Sequence, residues 1–166
     1  MIVTHLPGFY AKRRAITYLK QILPYFTVVD SNPNIILGRV KDPIEAVNII
    51  KSNITPKTTI LRIIPVNEVR SVKLADVKSS ILNLLSKIGE GSFAIRLEGH
   101  LLDDNGKIMR RIDSIVKLAD EIDRSVNLKN PDILVYVKIV KFRGRWVSAI
   151  YVGSPNNIVS TVKMFQ

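Results

Sequence analysis

The chain has 166 residues, and its 25 Lys and Arg residues outnumber its 14 Asp and Glu residues, which gives a formal charge of +11. An apolar fraction of 46% argues against a disordered chain, and no run of about 18 apolar residues exists to cross a membrane. Because cysteine is absent, disulfides, thiolate nucleophiles and thiolate metal sites are excluded. These features predict a basic, soluble, cytoplasmic protein of one or two domains.

The first third of the chain predicts alternating strands and helices. The predicted elements are strands at 1–6, 25–29, 35–40 and 58–66, and helices at 9–23 and from residue 42 to about residue 54. Asp42 followed by Pro43 is typical of a helix N-cap and first helical position. The order β-α-β-β-α-β predicts a ferredoxin-like domain over residues 1–68, with two helices on one face of an antiparallel sheet.

Residues 69–166 have a different pattern and predict a second domain. Its predicted elements are helices at 72–88 and 108–126, a half-buried strand at 92–100, and a hairpin of strands at 133–142 and 146–152. In the second helix, apolar spacing predicts six inward side chains: Ile112, Ile115, Val116, Ala119, Ile122 and Val126. The tail at 153–166 is ambiguous, and a short helix is one interpretation.

Patterns that would carry catalysis or bind metal have simpler explanations. The two histidines, His5 and His100, lack zinc-binding spacing. We predict that His100 is a surface residue at a strand end rather than a ligand contact. Gly89-Glu90-Gly91 follows a helix, so it indicates a helix end and not a phosphate loop. Asp103-Asp104 suits a turn, and Asp120-Glu121-Asp123 suits a solvated helix face. The sequence therefore predicts no catalytic residue, no metal site and no cofactor.

Three basic clusters point to a polyanionic partner. They are Lys12-Arg13-Arg14; Lys107, Arg110 and Arg111; and Lys138, Lys141, Arg143 and Arg145. The second cluster opens a predicted helix, where the helix dipole disfavours cations, so a bound phosphate would relieve the conflict. In the third cluster, Phe142 and Trp146 are either stacking platforms for unpaired bases or, as we favour, core or edge residues. The clusters together favour nucleic acid, although charge alone does not separate RNA from DNA or acidic lipid.

The second half of the chain resembles the THUMP domain. Ser92-Phe93-Ala94-Ile95-Arg96 is similar to its F-x-[IV]-R-type strand, and Leu118-Ala119 lies in the following helix. Val126-Asn127-Leu128-Lys129-Asn130-Pro131-Asp132 then leads into a hydrophobic strand, with Asn127 where the family commonly has Asp. The resemblance covers roughly residues 73–152. It implies helices packed on a mixed sheet after a ferredoxin-like module, and binding of the tRNA acceptor stem and 3′ end.

A finer resemblance concerns Leu61-Arg62-Ile63-Ile64-Pro65-Val66 and the following Leu74-Ala75-Asp76-Val77-Lys78. These segments are similar to stand-alone THUMP proteins that are adaptors of the tRNA cytidine acetyltransferase. The resemblance implies a non-catalytic protein that presents tRNA to this enzyme in trans, for N4-acetylcytidine formation. The predicted RNA contacts are Arg96, Lys107, Arg110, Arg111, Lys138, Lys141, Arg143 and Arg145. The alternatives are a general RNA-binding or ribosome-associated protein, and an enzyme with an unrecognised site.

Overall fold

The chain divides into two compact units, which a computed structural model describes over residues 1–166. One unit contains Met1–Val66 together with Asn156–Gln166, and the other contains Asn67–Pro155. Both units combine helices with β-sheet, so the α+β fold class predicted from the sequence is confirmed. The sequence prediction placed all of residues 69–166 in the second domain, whereas the tail from Asn156 onward belongs to the first unit. None of the helices is both long and apolar enough to span a lipid bilayer.

The first unit has the strand and helix order of a ferredoxin-like domain. Its elements are β1 (Ile2–His5), α1 (Phe9–Ile22), β2 (Thr27–Asn32), β3 (Ile35–Arg39), α2 (Pro43–Asn53) and β4 (Ile60–Ile64). β1 lies between β3 and β4, and β2 pairs with the outer side of β3. All these neighbours are antiparallel, as the predicted order requires.

Helix capping and apolar burial hold the first unit together. The Oδ1 atom of Asp42 accepts hydrogen bonds from the N–H groups of Ile44 and Glu45 at 2.9 and 3.1 Å, and Pro43 takes the first helical position. The core lies between the helices and one sheet face. Its fully buried side chains include Val3, Leu19, Ile36, Val47, Ile50 and Ile63.

The second unit packs two helices against a mixed sheet. Its elements are β5 (Glu68–Arg70), α3 (Leu74–Ser86), β6 (Phe93–Glu98), α4 (Arg111–Ala119), β7 (Ile133–Phe142) and β8 (Arg145–Gly153). The sheet order is β5-β8-β7-β6, in which β6 and β7 are parallel and the other pairs are antiparallel. Alternate residues of β7, such as Val135 and Val137, belong to the same core as Val77 of α3 and Leu118 of α4. The mixed sheet is the one implied by the THUMP resemblance.

Helix α4 is shorter than the helix predicted over 108–126. It begins at Arg111, because the preceding segment forms a small hairpin in which Leu102 and Ile108 are bridged. It ends at Ala119, so the acidic group 120–123 follows the helix and does not lie on its outer face.

The buried face of α4 also differs from the prediction. Ser114 and Leu118 are buried, whereas Ile112, Val116 and Val126 are exposed, so the inward orientation predicted for these three residues is wrong. Ile112 and Val116 have the same four-residue spacing as Ser114 and Leu118. Spacing alone does not say which of two such pairs faces the sheet. Ser114 can be buried because its hydroxyl donates to the backbone oxygen of Arg110 at 3.3 Å.

Two short strands are absent from the sequence predictions. One is β5, which pairs with β8 through Val69 and Ala149. The other is β9 (Val159–Ser160), which follows the second unit, pairs with β4 and becomes the fifth strand of the first sheet. A final helix α5 (Thr161–Met164) begins with Thr161, whose hydroxyl donates to the backbone oxygen of Ile60 at 2.8 Å. Strands of two and three residues are too short to show a period in the sequence.

Candidate nucleic-acid interface

Six of the predicted basic contacts lie at one end of the second unit. β6 and β7 are parallel, with Glu98 level with Lys138, so both strands finish at the same edge of the sheet. β6 continues into the segment 99–110 before α4, and β7 continues into the turn before β8. We call this region the basic end and define it by Lys107, Arg110, Arg111, Lys141, Arg143 and Arg145.

Backbone contacts fix the segment that follows β6. Gly99 has φ of 103°, and a Cβ atom there would lie 2.6 Å from the Cβ of Ile139, so only glycine lets this segment pass against β7. The Nδ1 atom of His100 lies 3.2 Å from the backbone oxygen of Met109 and joins the two sides of the segment. Asp103 accepts two backbone N–H bonds of 2.9 Å that close its turn. The basic side chains of this segment therefore extend from a defined backbone.

The amino end of α4 presents cations and unsatisfied N–H groups together. Arg110 is the N-cap residue and makes no side-chain cap, and the first helical bond runs from Ser114 N–H to Arg110 O. Arg110 Nε lies 2.8 Å from Asp113 Oδ2 in an exposed ion pair. The hydrogen bond and the charge of Asp113 raise the pKa of Arg110, which stays protonated. Arg111 is exposed and free of such a pair.

The β7–β8 hairpin combines cations with aromatic rings. Arg143 and Gly144 form its two-residue turn, with φ of 49° and 77°. The ammonium of Lys141 lies 5.4 Å from the ring centre of Trp146, and the guanidinium of Arg143 lies 5.1 Å from that of Phe142. Trp146 is 58% exposed, so it lies outside the core, whereas Phe142 is partly buried. An exposed indole beside cations suits an unpaired base.

Arg96 and Lys138, the other two predicted contacts, meet around one carboxylate. They lie on the sheet face opposite the helices, since they alternate with the residues that pack against α3 and α4. Lys138 Nζ lies 2.5 Å from Glu98 Oε2, and an Arg96 guanidinium nitrogen lies 3.3 Å from Oε1. The hydroxyl of Tyr136 donates to the same carboxylate at 2.5 Å. The structure therefore places these two cations in an ion-pair cluster, apart from the basic end.

The pKa of Glu98 reflects that cluster. Partial burial raises the pKa of this carboxyl, but the hydrogen bonds from Lys138 and Tyr136, with the charges of Lys138 and Arg96, outweigh it and bring the pKa below its usual value. The Lys138 side chain is only 15% exposed. Glu98 is therefore ionised at neutral pH and engages both cations.

Two further cations at this end were not predicted from the sequence. β5 runs in the same direction as β7, because both are antiparallel to β8, so β5 also ends at this edge. Its last residue, Arg70, pairs with Glu68 at 2.8 Å. Lys73 precedes α3 and is bridged to Leu102. Recognition of β5 in the sequence would have placed both residues here.

Two further carboxylates of the second unit each bind a single residue. Asp132 accepts the backbone N–H and the hydroxyl of Ser92 at 2.9 and 3.0 Å, and these bonds, the backbone bond first, lower the pKa of Asp132. Glu121 pairs with Lys78 at 3.2 Å. No three His, Asp or Glu residues lie close enough together to hold a metal ion.

The remaining basic cluster, Lys12-Arg13-Arg14, lies in the first unit. It occupies the first half of α1, beside the exposed aromatic residues Phe9 and Tyr10.

No protein-family model and no curated protein matches the sequence. Among solved structures, the chain is similar to PH1313 from Pyrococcus horikoshii Ot3, with a TM-score of 0.66 and 14% identity, over 92% of this chain and 54% of that one. It is also similar to a 4-thiouridine synthetase in a complex with RNA and bound ATP, with a TM-score of 0.57 and 17% identity, over 96% of this chain and 41% of that one. The chain thus spans about half the length of these proteins. The likeness is one of fold, and it supports the THUMP architecture that the sequence resemblance implies.

Proposed function

We propose that the protein binds tRNA through the basic end and presents it to an RNA-modifying enzyme without catalysing the reaction itself. The observation that carries this proposal is the parallel pairing of β6 and β7. This pairing directs the basic segment before α4 and the basic hairpin to the same edge of one sheet. A cationic surface that contains one exposed Trp suits a folded RNA with an unpaired end.

Each part of the basic end has a chemical role in this proposal. The guanidinium groups of Arg111, Arg143 and Arg145 can each donate two hydrogen bonds to a phosphate. The unsatisfied N–H groups of α4 add the positive end of the helix dipole. Trp146 stacks on an unpaired base of the 3′ end. A protein of the same fold has been solved with RNA, which agrees with this choice of ligand.

The enzyme that we propose as partner is the tRNA cytidine acetyltransferase, acting in the cytoplasm to form N4-acetylcytidine. Support for this choice comes from the sequence, in the similarity of residues 61–66 and 74–78 to its adaptor proteins. In the structure the first segment contains β4 and the second begins α3.

Binding to intact and 3′-truncated tRNA tests the proposed ligand. We expect the truncated tRNA to bind more weakly at matched salt, because it lacks the unpaired nucleotides that Trp146 would stack on. Fluorescence anisotropy with labelled tRNA measures both affinities. Equal affinities would favour a general RNA-binding or ribosome-associated protein and contradict recognition of the 3′ end.

Reconstitution tests the non-catalytic role. Purified protein, tRNA and acetyl-CoA should yield acetylcytidine only when the acetyltransferase is added, and the yield with both proteins should exceed that of the acetyltransferase alone. Nucleoside analysis of the digested tRNA measures the product. Acetylcytidine formed by this chain alone would show that it is an enzyme, and an unchanged yield would exclude the adaptor role.

A further inference from the structure

The outward face of α4 is apolar. Ile112 and Val116 lie on successive turns of this helix, and 62% and 55% of these residues are exposed. Since an α-helix turns by about 100° per residue, they lie roughly 160° around the helix axis from the buried Ser114 and Leu118. They therefore point away from the core of the second unit.

The segment that leads into α4 adds a third exposed aliphatic residue. Ile108 is 75% exposed and directly follows Lys107 of the basic end. Its backbone is held in place, because the residue is bridged to Leu102. We call Ile108, Ile112 and Val116 the apolar row. The apolar row begins at the basic end and continues along the outside of α4.

Helix formation does not explain the composition of the apolar row. Exposed helix positions are normally polar, and the β-branched residues Ile and Val are weaker helix formers than Ala, Lys or Glu. Single exposed apolar residues are common on protein surfaces, but side chains four residues apart on a helix are neighbours and form a patch. A patch of this kind beside charged residues is typical of a contact with another macromolecule.

The aliphatic chemistry of the apolar row favours a protein rather than RNA. Proteins contact RNA through cations and hydrogen-bond donors at the phosphates, and through aromatic rings or guanidinium planes at the unpaired bases. The side chains of Ile and Val have no donor and no ring. A tRNA bound at the basic end therefore leaves the apolar row available to a protein beside it.

Charges beside the apolar row distinguish between two kinds of protein partner. Lys107, Arg111 and Lys117 each adjoin a residue of the apolar row in the sequence, whereas Asp113 is paired with Arg110. A second copy of the chain would bring like cations together and carries the same charge of +11, which disfavours self-association. A partner surface with carboxylates around its own apolar patch is complementary in both respects.

We propose that the apolar row binds the RNA-modifying enzyme to which the tRNA is presented, through an apolar patch of that enzyme bordered by carboxylates. An enzyme that modifies a tRNA held at the basic end must reach the same tRNA, and the apolar row begins at that end. This inference rests on the proposed function, and it adds the surface on which the enzyme docks.

Binding of purified tRNA cytidine acetyltransferase to the labelled full-length protein tests the docking surface. Ile112→Ala/Val116→Ala removes apolar atoms without adding charge, and Ala is the stronger helix former, so the variant should fold like the parent. We expect its affinity for the enzyme, measured by fluorescence anisotropy, to fall about tenfold or more, because apolar burial drives the contact. Its affinity for tRNA alone should equal that of the parent, and it should no longer raise the yield of acetylcytidine at the concentration at which the parent does.

Val126→Ala/Leu128→Ala is the matched control. Both residues are aliphatic and about as exposed as the apolar row, and they lie in the same unit, between α4 and β7. This variant should bind the enzyme as tightly as the parent does. Parent-like binding of the enzyme by I112A/V116A, or equal losses for the two variants, would overturn the inference.

Other occupants of the apolar row give different results, each of which would also overturn the inference. Weaker tRNA binding by I112A/V116A would assign the apolar row to RNA. A dimeric parent and a monomeric variant in sedimentation would assign it to a second copy, and binding to phosphatidylserine vesicles that the variant loses would assign it to a membrane.

Failure of the proposed function looks different from failure of this inference. If the parent binds the enzyme and raises its yield, and I112A/V116A does so equally, only this inference fails. If the parent binds tRNA but neither binds the enzyme nor raises its yield, the proposed presentation of tRNA to this enzyme fails as well.

Discussion

Glu98 determines what Arg96 and Lys138 are able to bind. Its carboxylate accepts from Lys138 and Tyr136 and pairs with Arg96, so a phosphate at this place would have to compete with a partly buried carboxylate. At the basic end, Asp113 pairs with Arg110, and the side chains of this pair are more exposed than those of Lys138 and Glu98. At the scale of single residues, we therefore expect Arg96 and Lys138 to stabilise the fold, and the cations of the basic end to be the ones that contact RNA.

Replacement of Glu98 by Gln should destabilise the protein by about 1–3 kcal/mol at pH 7, because Lys138 would lose its partner while partly buried. The pKa of Glu98 is lowered by folding, so its contribution is complete above the pKa of the unfolded chain, about 4.3, and is lost as pH falls through the folded value. The difference in the free energy of unfolding between the parent and E98Q should therefore shrink below about pH 4. Urea unfolding at several pH values measures this difference.

Asp113→Asn is the control for E98Q, since it breaks an ion pair of similar length whose partners are more exposed. Its effect on the free energy of unfolding should stay within about 0.5 kcal/mol. Equal losses for the two variants would contradict the difference in environment.

Replacement of Arg143 by Gly should separate stability from RNA binding. Arg143 has φ of 49°, which costs a side-chain-bearing residue about 1 kcal/mol, and glycine removes this strain while adding freedom to the unfolded chain. We expect the urea midpoint of R143G to stay close to that of the parent, whereas its affinity for tRNA falls about threefold or more.

Gly144→Ala is the opposite case, because it introduces a side chain at φ of 77° where nothing obstructs the new Cβ. It should destabilise by about 1 kcal/mol and leave tRNA affinity unchanged. If R143G binds tRNA as tightly as the parent does, Arg143 is not part of the RNA interface.

At the scale of elements, one arginine completes the end of α3. The guanidinium of Arg124 donates to the backbone oxygens of Leu85, Ile88 and Gly89 at distances of 2.5–3.1 Å. Leu85 lies in the last turn of α3, and the other two residues follow the helix. A cation here satisfies backbone acceptors and also lies at the negative end of the helix dipole. Arg124 thus joins the segment after α4 to the end of α3.

Arg124→Ala should therefore lower the free energy of unfolding by about 2 kcal/mol, since three acceptors lose a charged donor. Arg124→Lys keeps the charge but has a single donor nitrogen, so its loss should be intermediate. Urea unfolding should show that stability falls from the parent to Arg124→Lys and then to Arg124→Ala. Hydrogen exchange of Arg124→Ala should show faster opening of the last turn of α3. An Ala variant as stable as the parent would contradict this role.

The elements that could be predicted from the sequence are those with strong local signals. In the β7–β8 hairpin, strands of ten and nine residues flank a turn that contains Gly. The start of α2 is marked by Asp42 as the N-cap and Pro43 at the first helical position. β9 could not be predicted, because its only pairing is with β4, about one hundred residues earlier. The wrong inward assignment of Ile112 and Val116 has the same cause, because contacts between distant segments decided which of two equally spaced pairs on α4 is buried.

At the scale of the whole molecule, the sequence predicts the net charge and the basic clusters well, but it does not predict where the clusters lie in the fold. The clusters can be identified in the sequence, whereas the parallel pairing of β6 and β7, which brings two of them to one edge of the sheet, cannot. The association of Lys138 with Glu98 and the outward position of Trp146 are likewise consequences of pairing in space.

Binding of tRNA by Arg110→Glu/Arg111→Glu, measured by anisotropy across a range of salt concentrations, tests the central claim most directly. Lys117→Glu/Lys129→Glu, which changes the net charge equally at exposed sites away from the basic end, is the matched control. We predict that the first variant folds like the parent but loses measurable binding, whereas the control retains the parent's salt dependence; milder Ala substitutions should each reduce the slope by about one unit. A folded R110E/R111E protein that binds tRNA as tightly as the parent would contradict the account.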